Sequence, residues 1–253
     1  MRLSFWTLQY LRYQNITWSE VLTVQDFQRV PRFLTRRLDY IDTTAHKYLP
    51  ESLDWRDEGV VGPVHDQQDC NSCWAFAAAG SMEYWLKKEL PDAEINVQDV
   101  LACSPHTYGC MGGLMDDAFQ YDGLFSLGYD YDGEYAGKCK PRTKGVRATG
   151  MQVMTFHPEQ QLAYMLHNWG PVTVAIDFTK QIHYKGGVIK QKECGDDPHH
   201  AVLVVGYTPV YWIVKNSKGT GWGHDGYAYV ERHKKACGIN TYASVSTGIE
   251  IIT

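Results

Sequence analysis

Gln67-Gln68-Asp69-Cys70-Asn71-Ser72-Cys73-Trp74-Ala75-Phe76 runs directly into Ala77-Ala78-Ala79-Gly80-Ser81-Met82-Glu83-Tyr84-Trp85-Leu86-Lys87-Lys88-Glu89-Leu90, and then into Pro91. The alanine-rich part, with apolar residues at 74, 78, 82, 85 and 86, predicts a largely buried helix that the proline ends. Cys73 then stands at the mouth of that helix, where unpaired backbone N–H groups and the helix dipole favour an anion. A thiolate is the nucleophilic form of cysteine, so the position suits catalysis. Taken alone, the same cysteine reads equally as a small core residue.

Outward from this helix the pattern divides the chain. Asn96 to Cys103, Leu114 to Tyr121 and Gln160 to Trp169 read as further helices, the last closed by Gly170-Pro171. Beyond them come Val172-Thr173-Val174-Ala175-Ile176, Ala201 to Tyr207, Tyr211-Trp212-Ile213-Val214 and Gly226 to Val230. These short β-branched and aromatic runs, punctuated by glycine, predict antiparallel strands. A helical first half and a stranded second half imply an α+β protein with two lobes and a cleft between them.

The chain has 253 residues, enough for one large core or two compact lobes, with 44% hydrophobic and 21% charged residues. Its net charge of −5, with no long Lys/Arg run, offers no electrostatic footing for nucleic acid. Residues 1–48 hold seven Lys/Arg against four Asp/Glu, whereas the remainder holds seventeen against twenty-five. A basic leader on an acidic body could dock by charge, although such imbalance is commonly solvated surface. A boundary is expected near Leu49. No apolar run approaches the roughly 20 residues that cross a bilayer, and Met1 to Arg12 makes a poor signal peptide.

Seven cysteines (Cys70, Cys73, Cys103, Cys110, Cys139, Cys194 and Cys237) fit three bridges plus one free thiol, or seven reduced thiols, or a metal site. Their spacings form no pair of CxxC knuckles and lie near no histidine ligands, so neither metal nor cofactor is expected. Bridges would place the chain in an oxidising compartment. A cysteine nucleophile also needs an imidazole to hold its proton and a group to orient that imidazole. His200 opens the Ala201–Tyr207 strand and Asn216 follows the next one, so a hairpin would bring them together.

The segment around Cys73 closely resembles the nucleophile motif of the papain family of cysteine proteases. His200-Ala201-Val202, Lys215-Asn216-Ser217, Trp55-Arg56, Cys110-Met111-Gly112-Gly113 and Gly221-Trp222-Gly223 are similar to its other motifs, in the same order. The similarity spans about residues 49–245 and is strongest to the cathepsin L branch. It implies a two-lobed fold, with a helical lobe over about 58–155 and a β-barrel-like lobe over about 156–245. The termini would cross between the lobes and the active site would lie in the cleft. It implies a monomeric endopeptidase acting on polypeptides, open to cystatin-like inhibitors, lysosomal or extracellular, with no nucleic-acid or membrane partner.

By the same resemblance Cys73 and His200 form a thiolate–imidazolium pair, oriented by Asn216. Gln67 and the Cys73 backbone N–H line the oxyanion hole. The implied bridges are Cys70–Cys110, Cys103–Cys139 and Cys194–Cys237. Gly112 and Gly113 would pair with the substrate backbone. Leu114, Met115, Ala175, Pro198 and Tyr242 would line the pocket for the second residue before the cut, where Tyr242 would favour aliphatic over basic side chains. The competing reading of these residues is simple core.

Several positions depart from the family pattern. Lys218 stands where tryptophan usually covers the Asn–His hydrogen bond, and its charge would disfavour imidazolium. Trp222 is a candidate to supply that cover. Gln68 and Asn71 replace glycines, and His199 replaces an Asp or Asn beside the base. Residues 15–27 loosely resemble the end of an inhibitory prosegment, so residues 1–48 read as a truncated leader carrying the sequon Asn15-Ile16-Thr17. These departures keep open a catalytically impaired homologue acting as a binding or inhibitory module. A thiol acyltransferase is the remaining alternative.

Overall fold

The computed structural model describes residues 49–134, 137–195 and 197–253. The expected leader and its sequon lie outside the described residues. Helix α1 (Cys73–Glu89) is buried along most of its length, as its alanine content allows, and stops before Pro91. Helix α2 (Val97–Cys103) begins where Asn96 Oδ1 accepts the Asp99 N–H at 2.9 Å. Helix α3 (Met115–Phe119) is shorter than expected. Helix α4 (Glu159–Trp169) ends at Gly170, where φ is +84° and a Cβ would stand 2.3 Å from the Tyr84 ring.

The strands are β1 (Leu53–Asp54), β2 (Gly145–Thr155), β3 (Val172–Ile176), β4 (Val188–Ile189), β5 (His200–Tyr207), β6 (Tyr211–Lys215), β7 (Tyr227–Glu231) and β8 (Tyr242–Ile252). They form one eight-stranded sheet in the order β2-β8-β3-β5-β6-β7-β4, with β1 added to β5. All pairs are antiparallel except β4 with β7. The sheet is open, so the barrel-like lobe is not a closed barrel. Closure needs edge strands that can pair at a common stagger, and here a two-residue β4 ends one edge while an eleven-residue β2 ends the other.

The longest pair, β2 with β8, was not among the expected strands. Both strands are interrupted by glycine and polar residues, and their register shifts around Gly150 and Gly248. Each strand is held by its partner about a hundred residues away, which no local pattern shows. The pair also serves both halves of the molecule: Met154 packs in one hydrophobic cluster and Val146 in the other.

Those clusters lie on opposite faces of the central strands. One packs α4 against Val172, Val174, Val202 and Val204, and the other surrounds α1. Alternation sends Ala175 and Ala201 to the α1 side, which is why β3 is buried along its whole length. Three disulfides brace the connections: Cys70–Cys110, Cys103–Cys139 and Cys194–Cys237. Each closes a loop of 36–43 residues, which corresponds to about 4 kcal/mol of restricted unfolded-chain entropy. Cys73 is left as the free cysteine.

Candidate active site

Cys73 is the first residue of α1, and its Sγ accepts the Ala201 N–H at 3.4 Å. The start of β5 is therefore delivered directly onto the sulfur. Burial pushes the thiol pKa up. The N–H groups of Ala201, Trp74 and Cys73 itself oppose this, as does the positive charge of Lys218. Two of those N–H groups belong to the first turn of α1, the expected effect of a helix mouth. Burial nevertheless wins.

His200 opens β5, and the β5–β6 register sets Leu203 opposite Lys215. Asn216 thus falls beside the head of β5, and its Oδ1 lies 2.8 Å from His200 Nε2. The same Oδ1 also accepts the Ser217 N–H at 2.9 Å. An amide oxygen only accepts, so Nε2 carries a proton and Nδ1 is left as the acceptor of the neutral ring. Burial pushes the imidazole pKa down to about 4; the Asn216 bond opposes the shift and the Lys218 charge adds to it. Burial thus acts on both groups in the same sense, toward a neutral thiol and a neutral imidazole, and opposes the ion pair that the resemblance implies. Lys218 itself is exposed and acts on both groups, favouring thiolate while disfavouring imidazolium. His199 points to solvent, with Nδ1 2.8 Å from the Asp197 carbonyl.

Gln67 is buried and held by four hydrogen bonds. Its N–H donates to Ser217 O at 2.9 Å, and its carbonyl accepts from the Tyr131 hydroxyl at 2.7 Å. Its side-chain Oε1 accepts from Ser217 Oγ at 2.7 Å, and Nε2 donates to Cys70 O at 2.8 Å. A primary amide has two N–H donors, so one remains for a ligand. The replaced glycines differ: Gln68 adopts φ of +53°, whereas Asn71 lies outside the left-handed region. An N–H bond from Gln68 to Asp66 Oδ1 at 2.8 Å supports the strained position.

Trp222 reaches toward His200 through the Phe178 ring. Its ring lies 5.9 Å from Phe178 and 5.3 Å from Tyr184, and its Nε1 donates to Gln181 O. Phe178 is the ring beside His200, at 6.3 Å. Behind Cys73 and Asn216 a cavity of about 30 Å³, lined also by Glu83 and Lys215, has room for one water-sized molecule.

The residues expected to bind substrate are only partly brought together. Leu114, Met115, Ala175 and Tyr242 share one hydrophobic cluster with Ala201. Leu114 and Tyr242 are half-buried, but Met115 and Ala175 are 0% and 1% exposed. Pro198 is buried against Gly238, where a Cβ would lie 2.5 Å from its ring. Gly112 has φ of +123°, and a Cβ at Gly113 would come within 2.7 Å of the Trp74 ring, so both glycines have a structural reason.

Beneath this cluster the Tyr242 hydroxyl donates to Asp116, and Asp117 accepts the Leu114 N–H at 3.4 Å. Burial raises both carboxyls, Asp117 to about 8 with the Asp116 charge adding to the shift. Sequence reading missed Ser217, Phe178, Tyr131 and this acidic pair. Only Ser217 had a nearby signal, as the neighbour of Asn216. Among the described residues no cluster of His, Cys, Asp or Glu could hold a metal, and no helix is long and apolar enough to cross a membrane.

Residues 49–247 match the papain family cysteine protease family. The chain is 36% identical to cathepsin S of Bos taurus over 248 residues, covering 91% of this chain and 74% of that protein. Its fold matches the digestive procathepsin L2 proteinase of Tenebrio molitor larval midgut with a TM-score of 0.72 at 38% identity, over 78% of this chain and 68% of that one. It matches the bromelain protease of Ananas comosus, solved in complex with the E64 inhibitor, with a TM-score of 0.70 at 33% identity, over 79% of this chain and 100% of that one. The chain belongs to the papain family of cysteine proteases, a family of peptide hydrolases.

Proposed function

We propose that this chain is a cysteine endopeptidase that cuts peptide bonds through an acyl-enzyme on Cys73. The observation that supports this most is the meeting of the free thiol with the head of β5, where Ala201 N–H lies on Sγ and His200 is oriented by Asn216. His200 Nδ1 takes the thiol proton as sulfur attacks the peptide carbonyl. The carbonyl oxygen becomes negative and is met by the Cys73 N–H and the remaining N–H of Gln67. Collapse breaks the C–N bond, and the imidazolium gives its proton to the leaving amine. His200 then takes a proton from water as it attacks the thioester, which releases the acid and restores the thiol.

Leu114, Met115, Ala175, Pro198 and Tyr242 form the proposed pocket for the second residue before the cut, beside Gly112 and Gly113, with Trp222 further along the cleft. Residues 1–48 belong to an inhibitory prosegment and residues 49–253 form the peptidase domain in this reading. A monomer in a lysosomal or extracellular setting, open to cystatin-like inhibitors, completes this reading. Three disulfides support the oxidising compartment.

The decisive test is reaction with E64 followed by mapping of the adduct. Labelling of Cys73 in the folded chain, lost on heating, is expected. Cys73→Ala should abolish the label and lower peptide hydrolysis by about 10⁴-fold or more. Absence of a Cys73 adduct would favour the impaired homologue. A fluorogenic dipeptide series should prefer aliphatic side chains in the pocket, and a preference for arginine would overturn the pocket assignment.

A further inference from the structure

We propose that Tyr131 is a positioning residue for the oxyanion hole, locking Gln67 and Ser72 at a fixed separation so that the donors at 67 and 73 converge. This rests on the peptidase reading above. The two donors stand six positions apart, at opposite ends of one loop. An oxyanion is stabilised only when its donors lie within a few tenths of an ångström of their working positions, so the loop must be braced. The disulfide Cys70–Cys110 and the Asn71 N–H bond to Cys110 O at 3.1 Å hold its middle. Its ends need their own restraint.

Tyr131 reaches both ends with one oxygen. Its hydroxyl is 2.7 Å from Gln67 O and 2.6 Å from Ser72 Oγ. A carbonyl cannot donate, so the phenol proton goes to Gln67 O, and Ser72 must donate to the phenol oxygen. The alternative acceptor for Ser72, Cys70 O, is 3.5 Å away. The Tyr131 ring also packs edge-on against Phe76 in the first turn of α1, with centroids 4.8 Å apart. One side chain therefore ties together the glutamine, the residue before the nucleophile, and the nucleophile's helix.

The bond to Ser72 has a second effect. Ser72 is the N-cap of α1, a position where serine ordinarily accepts N–H groups of the first turn, yet it makes no side-chain cap bond. The Ser72 hydroxyl is turned to Tyr131 in place of the first turn, so the Trp74 N–H, one of the groups such a cap would take, stays available to negative charge at the sulfur.

The segment carrying Tyr131 is itself anchored. Gln98 of α2 bonds Asp130 O through its N–H at 3.1 Å and Glu134 O through Nε2 at 2.7 Å. Gly133 has φ of +80°, and a Cβ there would lie 2.5 Å from Gln68 Oε1, so the segment sits directly on the loop. Ser217 restrains the Gln67 amide from the sheet side, while Tyr131 restrains its carbonyl from the helical side.

Tyr131→Phe keeps the ring and removes only the hydroxyl. The expected result is about a tenfold fall in kcat with KM within about twofold, smaller than the loss of a direct oxyanion donor. Affinity for a peptide aldehyde, whose adduct oxygen uses the same donors, should fall in parallel. Alkylation of Cys73 by iodoacetamide passes through no oxyanion, so its rate should stay within about twofold. If alkylation slows as much as hydrolysis, or if kcat and aldehyde affinity are both unchanged, the assignment to Tyr131 is overturned. Should the wild-type chain be alkylated at Cys73 yet cleave no peptide, the peptidase reading fails by itself, and the aldehyde comparison still decides the role of Tyr131.

Discussion

On the helical side of the cleft, Cys73 stands at the start of α1 while Gln67 is held by four hydrogen bonds, a disulfide ties the loop between them to Cys110, and Tyr131 braces both ends. On the sheet side, His200 is held by one side-chain bond to Asn216, with the Phe178 ring 6.3 Å away and an exposed lysine where the family usually sets a tryptophan. Geometry is redundantly specified on the first side. On the second, protonation depends on burial, one hydrogen bond and one charge. Substitutions around the thiol should therefore change turnover, and those around the imidazole should change the pH dependence as well.

Short of removing the nucleophile, the largest expected effect comes from breaking the single bond on the sheet side. Asn216→Ala should lower kcat/KM by about a hundredfold, within the range of a misplaced general base. Because the Asn216 bond raises the imidazole pKa against burial, its loss should also move the acid limb of the pH profile downward. A fall in rate with an unmoved acid limb would mean that Asn216 does not act through the ring.

A smaller effect is expected at Lys218. Its charge lowers both the His200 and the Cys73 pKa, so Lys218→Met should move both limbs of kcat/KM upward, by about a few tenths of a unit at an exposed, screened site. Added salt should move the wild-type profile in the same direction. Lys218→Trp should also raise turnover by covering the His200–Asn216 bond. Limbs that move apart, or turnover that falls in Lys218→Trp, would contradict this account.

The smallest effect concerns stability, and here the two sides have opposite signs. Asp117, buried on the helical side, has a carboxyl raised to about 8 from 3.8, so its stabilising contribution is complete below pH 3.8 and is lost as pH rises through 8. Asp117→Asn should raise Tm by a few degrees at pH 8 and leave it unchanged near pH 4. His157 is buried on the sheet side with Nδ1 3.2 Å from Pro158 O and Nε2 without a partner among the described residues, and burial lowers its pKa below 6.5. The unfolded chain therefore gains a proton that the folded chain resists, and stability falls as pH drops below 6.5. Equal Tm shifts for Asp117→Asn at both pH values would show that the carboxyl is not titrating in the folded chain.

The helices and short strands were legible because each carries its own signal: alanine and a final proline in α1, an asparagine cap at α2, and β-branched runs in β3 and β5. The pair β2–β8 was not, since Gly150, Gly248 and scattered polar residues blur both strands until they pair. At the candidate site, Cys73, His200 and Asn216 stood out as residue types in a workable order. Gln68 and Asn71 looked alike in sequence, yet only Gln68 took the left-handed backbone, because the turn at Asp66 demands it there.

Sequence alone settled what nearby residues decide: which segments coil, where the cysteine meets a helix end, and which histidine heads a strand. Tertiary structure decided what groups far apart in the chain do to one another. Tyr131 meets Gln67 across 64 residues, and Ala201 meets Cys73 across 128. The protonation of Cys73 and His200 belongs to the second kind. Desolvation depends on everything packed around a group, and in this chain it outweighs the helix end and the Asn216 bond that the local pattern makes visible.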